Sequence, residues 1–194
     1  MDSSYIFATN NAHKVAEIKA VLNNRIAIVS LQEAGILQDI PEPWNSFHEN
    51  ALEKITVIHK LTRSNCFSED TGLEVDVLDG APGVKSARYA GEHASAADNI
   101  SKLLAALQFA TNRKARFITV IALHEEGQIH YFEGICEGQI LQEPTGNGGF
   151  GYDPIFSPDG ANGKSFASMT MEEKNIYSHR KKAVELLVNH LMRE

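Results

Sequence analysis

Cysteine is scarce in this chain, with only Cys66 and Cys136 among 194 residues. Two cysteines cannot build a disulfide framework or a zinc cluster by themselves, so we expect both to be buried thiols. No apolar run approaches the roughly 20 residues of a membrane span. Residues 1–5 lack the basic start and the long apolar stretch of a signal peptide. The sequence therefore predicts a soluble, cytoplasmic protein without a membrane partner.

Basic residues are outnumbered by acidic ones. Eighteen Lys and Arg stand against 25 Asp and Glu, which gives a formal net charge of −7 with His neutral. Because nucleic acid requires a basic face, this balance argues against a nucleic-acid partner. A polyphosphate could still bind where a few cations converge or where a divalent metal bridges. The length predicts one domain over residues 1–194.

The first 30 residues have the hydropathy pattern of a strand, a turn, a helix and a second strand. Residues 5–8 and 26–29 are the strand-like runs, and an apolar helical period between them ends at Asn23-Asn24. This order favours an α/β fold with parallel pairing. Further helices are predicted over about 46–62, 95–107 and 171–192, and further strands over 65–68, 73–77, 115–123 and 128–136.

The predicted junction between the first strand and the first helix contains six residues that could bind an anion. Amide groups at a helix start point outward and the helix dipole is positive there, so phosphate is attracted. Hydroxyl and amide side chains add donors and a lysine adds charge; the alternative is an ordinary capped turn. The glycine pattern of a Walker A loop is absent. The six residues are Thr9, Asn10, Asn11, Ala12, His13 and Lys14.

Two adjacent acids, Glu69 and Asp70, follow an apolar strand. Neighbouring residues on a strand point to opposite faces, so both can reach one metal only if the chain turns, which Thr71-Gly72 would permit. Oxygen ligands of this kind suit Mg²⁺ bridged to phosphates. Glu42, held between two prolines, is a third candidate ligand. The alternative is an acidic turn on the surface.

The glycine-rich segment 146–151 matches the dinucleotide-binding pattern formally, but it neither follows a predicted strand nor opens a helix, so we reject that interpretation. A loop that exposes its backbone is the better hypothesis. Phe150 or Tyr152 would offer a stacking face to a planar ligand and Asp153 an acceptor. The alternative is a bulged turn with aromatic residues in the core.

A basic group lies near the start of the last predicted helix. Lys174 and Ser178 are four residues apart and would share a helix face. Arg180 offers a planar fork of donors suited to a carbonyl edge or a phosphate. The alternative is a solvated basic face.

Taken together, these segments resemble one family, the inosine/xanthosine triphosphate pyrophosphatases. The match runs in order along nearly the whole chain. The Gly-Phe-Gly-Tyr-Asp-Pro run and the Ser-His-Arg triplet are its most specific parts. It rests on residues 8–11 with Lys14, 49–51 with Lys54, 69–73, 80–83 with 86–89, 148–156, and 173–174 with 178–180.

The resemblance implies an α/β fold that is elongated and two-lobed, with a long central mixed sheet flanked by helices and a substrate cleft between the lobes. It also implies a homodimer that, with Mg²⁺, splits non-standard purine nucleoside triphosphates such as ITP, dITP and XTP into the monophosphate and pyrophosphate. Two alternatives stay open: a nucleotide pyrophosphatase of other base specificity, and an inactive nucleotide-binding regulator.

The resemblance also assigns roles to the candidate residues. Asp70 would be the base that activates water, and Glu42, Asp70 and Glu69 the candidate metal ligands. Residues 9–14 would hold the phosphates, Thr71 would touch the substrate, and His179 and Arg180 would be the donors facing the purine 6-keto group. The remaining candidates for the substrate pocket are Lys54, Phe150, Gly151, Tyr152, Asp153 and Lys174.

Overall fold

The computed structural model describes residues 4–38 and 40–193. Those residues form seven strands and five helices, together with short 3-10 turns. The strands are β1 (Tyr5–Phe7), β2 (Ile28–Ser30), β3 (Cys66–Val75), β4 (Pro82–Gly83), β5 (Lys114–Glu125), β6 (Gln128–Ile140) and β7 (Phe156–Pro158). The helices are α1 (Ala12–Leu22), α2 (Phe47–Thr62), α3 (Ala96–Ala106), α4 (Met171–Tyr177) and α5 (His179–Leu191).

The seven strands form one mixed sheet in the order β2-β1-β3-β5-β6-β7, with β4 paired to β3. β1 runs parallel to β2, with Tyr5 opposite Ile28, and parallel to β3, with Phe7 opposite Phe67. β4 and β7 pair antiparallel with β3 and β6 respectively. The predicted α/β class with a central mixed sheet is confirmed, as is the parallel pairing of the first two strands.

Each of the first three helices begins after a residue whose side chain caps it. Asn11 caps α1, Ser46 caps α2, and Ser95 forms a capping box with Asp98 at the start of α3. Each cap satisfies amide groups that have no partner within the helix. Asn23 ends α1 in a left-handed conformation, which asparagine tolerates better than most residues.

β3 is a single strand of ten residues, so the prediction of two separate strands over 65–68 and 73–77 is wrong, and the turn that Thr71-Gly72 would have permitted does not form. Glu69, Asp70, Gly72 and Leu73 are all buried. A turn in a strand with neighbours on both sides would leave buried amide and carbonyl groups without partners, whereas a continuous ladder pairs them. The two adjacent acids therefore point to opposite faces of the sheet.

The single helix predicted over 171–192 is also wrong, because the chain breaks at Ser178. Thr170 and Glu173 form a capping box that starts α4, and Ser178 (φ −51°, ψ 120°) leaves the helical conformation before α5 begins at His179. Lys174 lies within α4, and Ser178 is the residue that ends it. Lys174, Ser178, His179 and Arg180 are all buried, and the burial of these four polar side chains outweighs the periodicity that favoured one helix.

The chain divides into two compact units. Unit 1 comprises the described parts of Met1–Asp70, Thr119–Gly134 and Arg180–Glu194, and unit 2 comprises Thr71–Ile118 and Ile135–His179. In the core of unit 1, Phe7 and Phe67 stack with centroids 4.7 Å apart. In the core of unit 2, Phe117 packs edge-on against Phe156 at 4.7 Å.

Both cysteines are buried, as predicted. Burial raises the pKa of the Cys66 thiol to about 12. Cys66 is therefore not poised as a thiolate nucleophile. Within the described ranges, no helix combines the length and apolarity needed to cross a membrane.

Candidate functional site

The loop after β1 forms the capped start of α1. The hydroxyl of Thr9 accepts a hydrogen bond from the amide of Asn11 (3.2 Å), and the side chain of Asn11 accepts from the amides of His13 (3.0 Å) and Lys14 (3.2 Å). Residues 10–13 are exposed at this helix start. The geometry thus presents an exposed, electropositive helix terminus next to the end of a central strand.

Asp70 lies on one face of β3 within a buried polar cluster of unit 1. Its Oδ2 accepts a hydrogen bond from Nδ2 of Asn50 (3.1 Å), and its Oδ1 lies 3.6 Å from Nζ of Lys54. Lys54 also forms an ion pair with Glu42 and donates to the main-chain carbonyl of Glu69 (2.9 Å). One ammonium group therefore links the carboxylates of Glu42 and Asp70.

The environment of Asp70 raises its affinity for a proton above that of an exposed carboxylate. Burial raises the pKa of Asp70, and the nearby carboxylate of Glu42 adds to the rise, while the positive charge of Lys54 opposes it. A carboxylate with a raised pKa is a better proton acceptor than an exposed one. The cluster thus holds an acid whose affinity for a proton is increased.

Glu69 lies on the other face of β3, in a second ion-pair network whose Lys14 also acts electrostatically on Asp70. Its two carboxylate oxygens accept from Nε (2.8 Å) and Nη2 (3.1 Å) of Arg180. Lys14 lies 3.1 Å away from Glu69, and Arg180 also pairs with Glu17 through Nη1. Although burial opposes its ionisation, Arg180 and Lys14 hold the pKa of Glu69 down at about 2.

This network changes the expected roles of Glu69 and Arg180. The guanidinium of Arg180 binds both carboxylate oxygens of Glu69, and the ammonium of Lys14 lies beside them. Nε, Nη1 and Nη2 of Arg180 all contact carboxylates, and its side chain is 2% exposed. The carboxylate of Glu69 is therefore occupied by cationic side chains and is not available as a metal ligand. The guanidinium of Arg180 is occupied by carboxylates and is not available as a donor to a purine.

The donor set around Asp70 fits a hard divalent cation. Glu42 and Asp70 supply carboxylate oxygens that already share one cation, the ammonium of Lys54. Mg²⁺ is bound in proteins by one or two carboxylates together with substrate phosphates. Glu42 and Asp70 are thus the residues of this cluster that could hold Mg²⁺.

A second polar cluster lies in unit 2. Oδ2 of Asp153 accepts from Nζ of Lys174 (2.8 Å) and from the amide of Phe150 (2.9 Å). The ammonium of Lys174 lies 5.3 Å from the centroids of both the Phe150 and Phe166 rings. Gly149, at φ +69°, permits this packing, because a Cβ there would lie 2.0 Å from Oδ2 of Asp153.

The other candidates of unit 2 differ in how deeply they are buried. Tyr152 is buried and its hydroxyl donates to the carbonyl of Ser86 (2.9 Å), so its ring is a core ring. His179 is buried and stacks on Phe117 with centroids 4.8 Å apart. Phe150, Gly151 and Thr71 are only partly buried. Of the two aromatic rings proposed as stacking faces, Phe150 is the more accessible.

Two residues of these clusters were not singled out as candidates from the sequence. Asn50 holds Asp70 and also bonds both the amide (3.0 Å) and the carbonyl (3.1 Å) of Trp44, which fixes the loop that carries Glu42. Glu17 is a buried acid that pairs with Arg180. The sequence could have indicated Glu17, because it lies beside Ile18 and four residues before Val21, on the apolar face of the predicted helix, which is the face of α1 that is buried.

The fold and these clusters define an α/β protein whose central strand carries two buried acid–base networks. A sequence profile described as the Ham1 family matches residues 5–190. The chain belongs to the Ham1 family.

Similar proteins of named function span nearly the whole chain. This chain is 51% identical over 188 residues to a dITP/XTP pyrophosphatase of Porphyromonas gingivalis, with 96% of each chain covered. It is 47% identical over 186 residues to one of Flavobacterium johnsoniae, again with 96% of each covered.

Two solved structures share the fold. The Staphylococcus aureus Ham1 protein matches with a TM-score of 0.88 at 35% identity, over 97% of this chain and 98% of that one. A HAM1 protein from Coxiella burnetii matches with a TM-score of 0.89 at 37% identity and the same coverage.

Proposed function

We propose that this chain hydrolyses dITP, ITP and XTP to the monophosphate and pyrophosphate, and so removes non-standard purines from the nucleotide pool. The observation that carries the proposal is full-length identity of 47–51% to proteins named dITP/XTP pyrophosphatase. The buried cluster of Asp70, Glu42 and Lys54 supports it, because phosphoanhydride hydrolysis needs a positioned base and compensated charge.

In this proposal Asp70 accepts the proton of the attacking water, and the hydrogen bond from Asn50 fixes the orientation of its carboxylate. Glu42 and Asp70 would hold Mg²⁺. When bound, that ion supplies positive charge that offsets the charge of the phosphate oxygens. Lys54 stabilises both carboxylates and orients them.

The phosphates of the substrate are assigned to the exposed loop of residues 9–14. The capped helix start supplies an electropositive terminus, and Lys14 supplies a fixed charge. The two networks of unit 1 contain one more carboxylate than cationic side chains, so their net charge is negative. A bound divalent cation would make that net charge positive and so favour an anionic substrate. Their charged members are Lys14, Lys54, Arg180, Glu17, Glu42, Glu69 and Asp70.

The purine base is assigned to the cluster of unit 2. The partly buried ring of Phe150 offers a stacking face, Gly151 leaves space beside it, and Lys174 offers a donor for the 6-keto oxygen. Thr71 and His179 complete the proposed pocket, and Tyr152 supports it from the core. Arg180 and Glu69 are proposed to position Lys14 rather than to touch the base or the metal.

We expect kcat/KM for ITP, dITP and XTP to exceed that for ATP by about 10⁴-fold. A site built to donate to a 6-keto oxygen leaves its donors unpaired against the 6-amino group of adenine, and such mismatches cost about 10⁴-fold. The measurement is pyrophosphate release for each nucleotide with Mg²⁺, with ³¹P NMR to identify the products.

GTP and modified pyrimidine triphosphates belong in the same panel. Preference for a pyrimidine would favour the alternative of a pyrophosphatase with other base specificity. Binding of ITP without turnover would favour an inactive regulator. Comparable turnover of ATP, or release of inorganic phosphate instead of pyrophosphate, would contradict the proposal.

Activity is expected to depend on added divalent metal. Excess chelator should lower the rate with ITP at least about 100-fold, because without a bound cation the carboxylates of Glu42 and Asp70 repel the negatively charged triphosphate. Readdition of Mg²⁺ should restore the rate, and a matched addition of NaCl serves as the control for ionic strength. Full turnover in excess chelator would contradict the assignment of a metal to these residues.

A homodimer and a cytoplasmic location are implied by the family resemblance and stay predictions. Light scattering coupled to size-exclusion chromatography would show a mass of twice 21.4 kDa for the dimer.

A further inference from the structure

Three side chains that commonly bind transition metals meet in unit 1, outside the clusters described above. Over residues 4–38 and 40–193, Glu125, His130 and His190 form the one such group whose ligand atoms all lie within 4.8 Å of one another. Glu125 ends β5, His130 lies in β6 and His190 lies in the last turn of α5. All three are partly buried. The fold thus unites residues that are up to 65 positions apart in sequence.

The contacts within the group already orient its members. Nε2 of His190 lies 3.1 Å from Oε2 of Glu125, and the ring centroids of His130 and His190 lie 4.3 Å apart. The hydroxyl of Tyr5 donates to the other oxygen of Glu125, and the ring of Phe132 lies 5.4 Å from that of His190. A hydrogen bond of this kind fixes a carboxylate for binding a metal.

This group is separate from the residues assigned to catalysis. Tyr5 begins β1, whereas the loop of residues 9–14 follows the end of that strand. Four residues of extended chain span about 13 Å. β3 runs parallel to β1 with Phe67 opposite Phe7, so Asp70 lies toward the same distant end. The group therefore occupies the opposite end of the strands.

We propose that Glu125, His130 and His190 bind a borderline transition metal, with Zn²⁺ as the reference ion. Two imidazoles and one carboxylate are a ligand set that Zn²⁺ takes, with a fourth position left for water. Tetrahedral bonds of 2.0–2.2 Å bring ligand atoms to about 3.4 Å from one another, so the side chains must close by roughly 1 Å. The bound ion links the end of α5 to the β5–β6 hairpin.

The test uses the full chain after chelator treatment, titrated with ZnCl₂ by calorimetry in excess Mg²⁺, so that Mg²⁺ competes at Glu42 and Asp70. One equivalent of Zn²⁺ should bind. At 100 times the Kd, Tm should rise by roughly 5–10 °C. The His130→Ala and His190→Ala variants should each lose at least about tenfold in affinity, and Tyr5→Phe should lose about tenfold or more because it frees the carboxylate.

His93→Ala is the matched control, because His93 is exposed and lies outside the group. It should bind Zn²⁺ like the unmodified chain. Tm of each variant without metal shows whether it has folded, and a Co²⁺ absorption spectrum of tetrahedral type reports the site directly. Unchanged affinity in both His130→Ala and His190→Ala would overturn the proposal, as would an unmodified chain that binds no Zn²⁺ below 1 mM, on the order of the weakest sites in proteins.

Discussion

Replacing Asp70 with Asn is expected to lower kcat for ITP by at least about two orders of magnitude, the usual scale for removing a general base. The amide keeps the shape of the side chain and can still accept the hydrogen bond from Asn50. It cannot accept a proton from water, and it removes one of the two carboxylates that share Lys54. Steady-state pyrophosphate release measures the effect.

Asp159→Asn provides the matched control, since Asp159 is exposed. Its rate should be that of the unmodified enzyme, and Tm of both variants shows whether folding has changed. A rate for Asp70→Asn within a few-fold of the unmodified enzyme would refute the assignment of the base. Glu42 would then be the next residue to test, because both oxygens of Glu69 are bound by Arg180.

Replacing Arg180 with Met should produce the largest loss of stability. The side chain of Arg180 is 2% exposed and pairs with two acids, Glu69 and Glu17. Although burial disfavours its charge, these carboxylates raise the pKa of Arg180 above its usual range. Removing one partner of a buried ion pair costs about 3–5 kcal/mol, because the charge left behind is not compensated. We expect Tm to fall by roughly 6–20 °C.

The control for this variant is Arg25→Met. Arg25 pairs with Glu185 at 3.1 Å, but both side chains are more than a third exposed. An exposed pair contributes about 0–1 kcal/mol, and Arg25 also donates to the carbonyls of Val21 (2.8 Å) and Leu22 (3.1 Å), so Tm should fall by much less than in Arg180→Met. Equal shifts in the two variants by calorimetry or urea unfolding would show that burial of the Arg180 network does not matter for stability.

The sequence predicted the helices best where local chemistry decides their ends. Ser46 and Ser95 lie immediately before α2 and α3, and Asn23 immediately after α1. Caps and apolar period act within one turn of the chain, so they can be recognised from neighbouring residues. The strand order β2-β1-β3-β5-β6-β7 depends on pairing between distant segments and was not available from that pattern.

The errors fell where distant partners decide the local conformation. A turn after Glu69-Asp70 was plausible from Thr71-Gly72, but the neighbours on both sides of β3 keep that strand extended. The break at Ser178 likewise has no glycine or proline to announce it. In both places the conformation depends on burial, which local pattern does not record.

The candidate site residues were selected largely by family resemblance, and their partners were not predictable from spacing. Arg180 is 111 residues from Glu69 and 163 from Glu17, so no local pattern joins them. Asn50 lies 20 residues before Asp70 on a different element. Residue type indicated acid–base chemistry, while the fold determined which cation each acid meets.

Because β3 is unbroken, mutations at two adjacent residues are expected to have different effects in a cell. Glu69 and Asp70 are joined by one peptide bond, yet they project from opposite sides of the sheet. A change at Glu69 that takes away this partner of Arg180 should lower the amount of folded enzyme in a cell, whereas the isosteric Asp70→Asn change should lower turnover more than abundance. Genetic screens that read abundance and turnover separately would therefore distinguish two neighbouring codons.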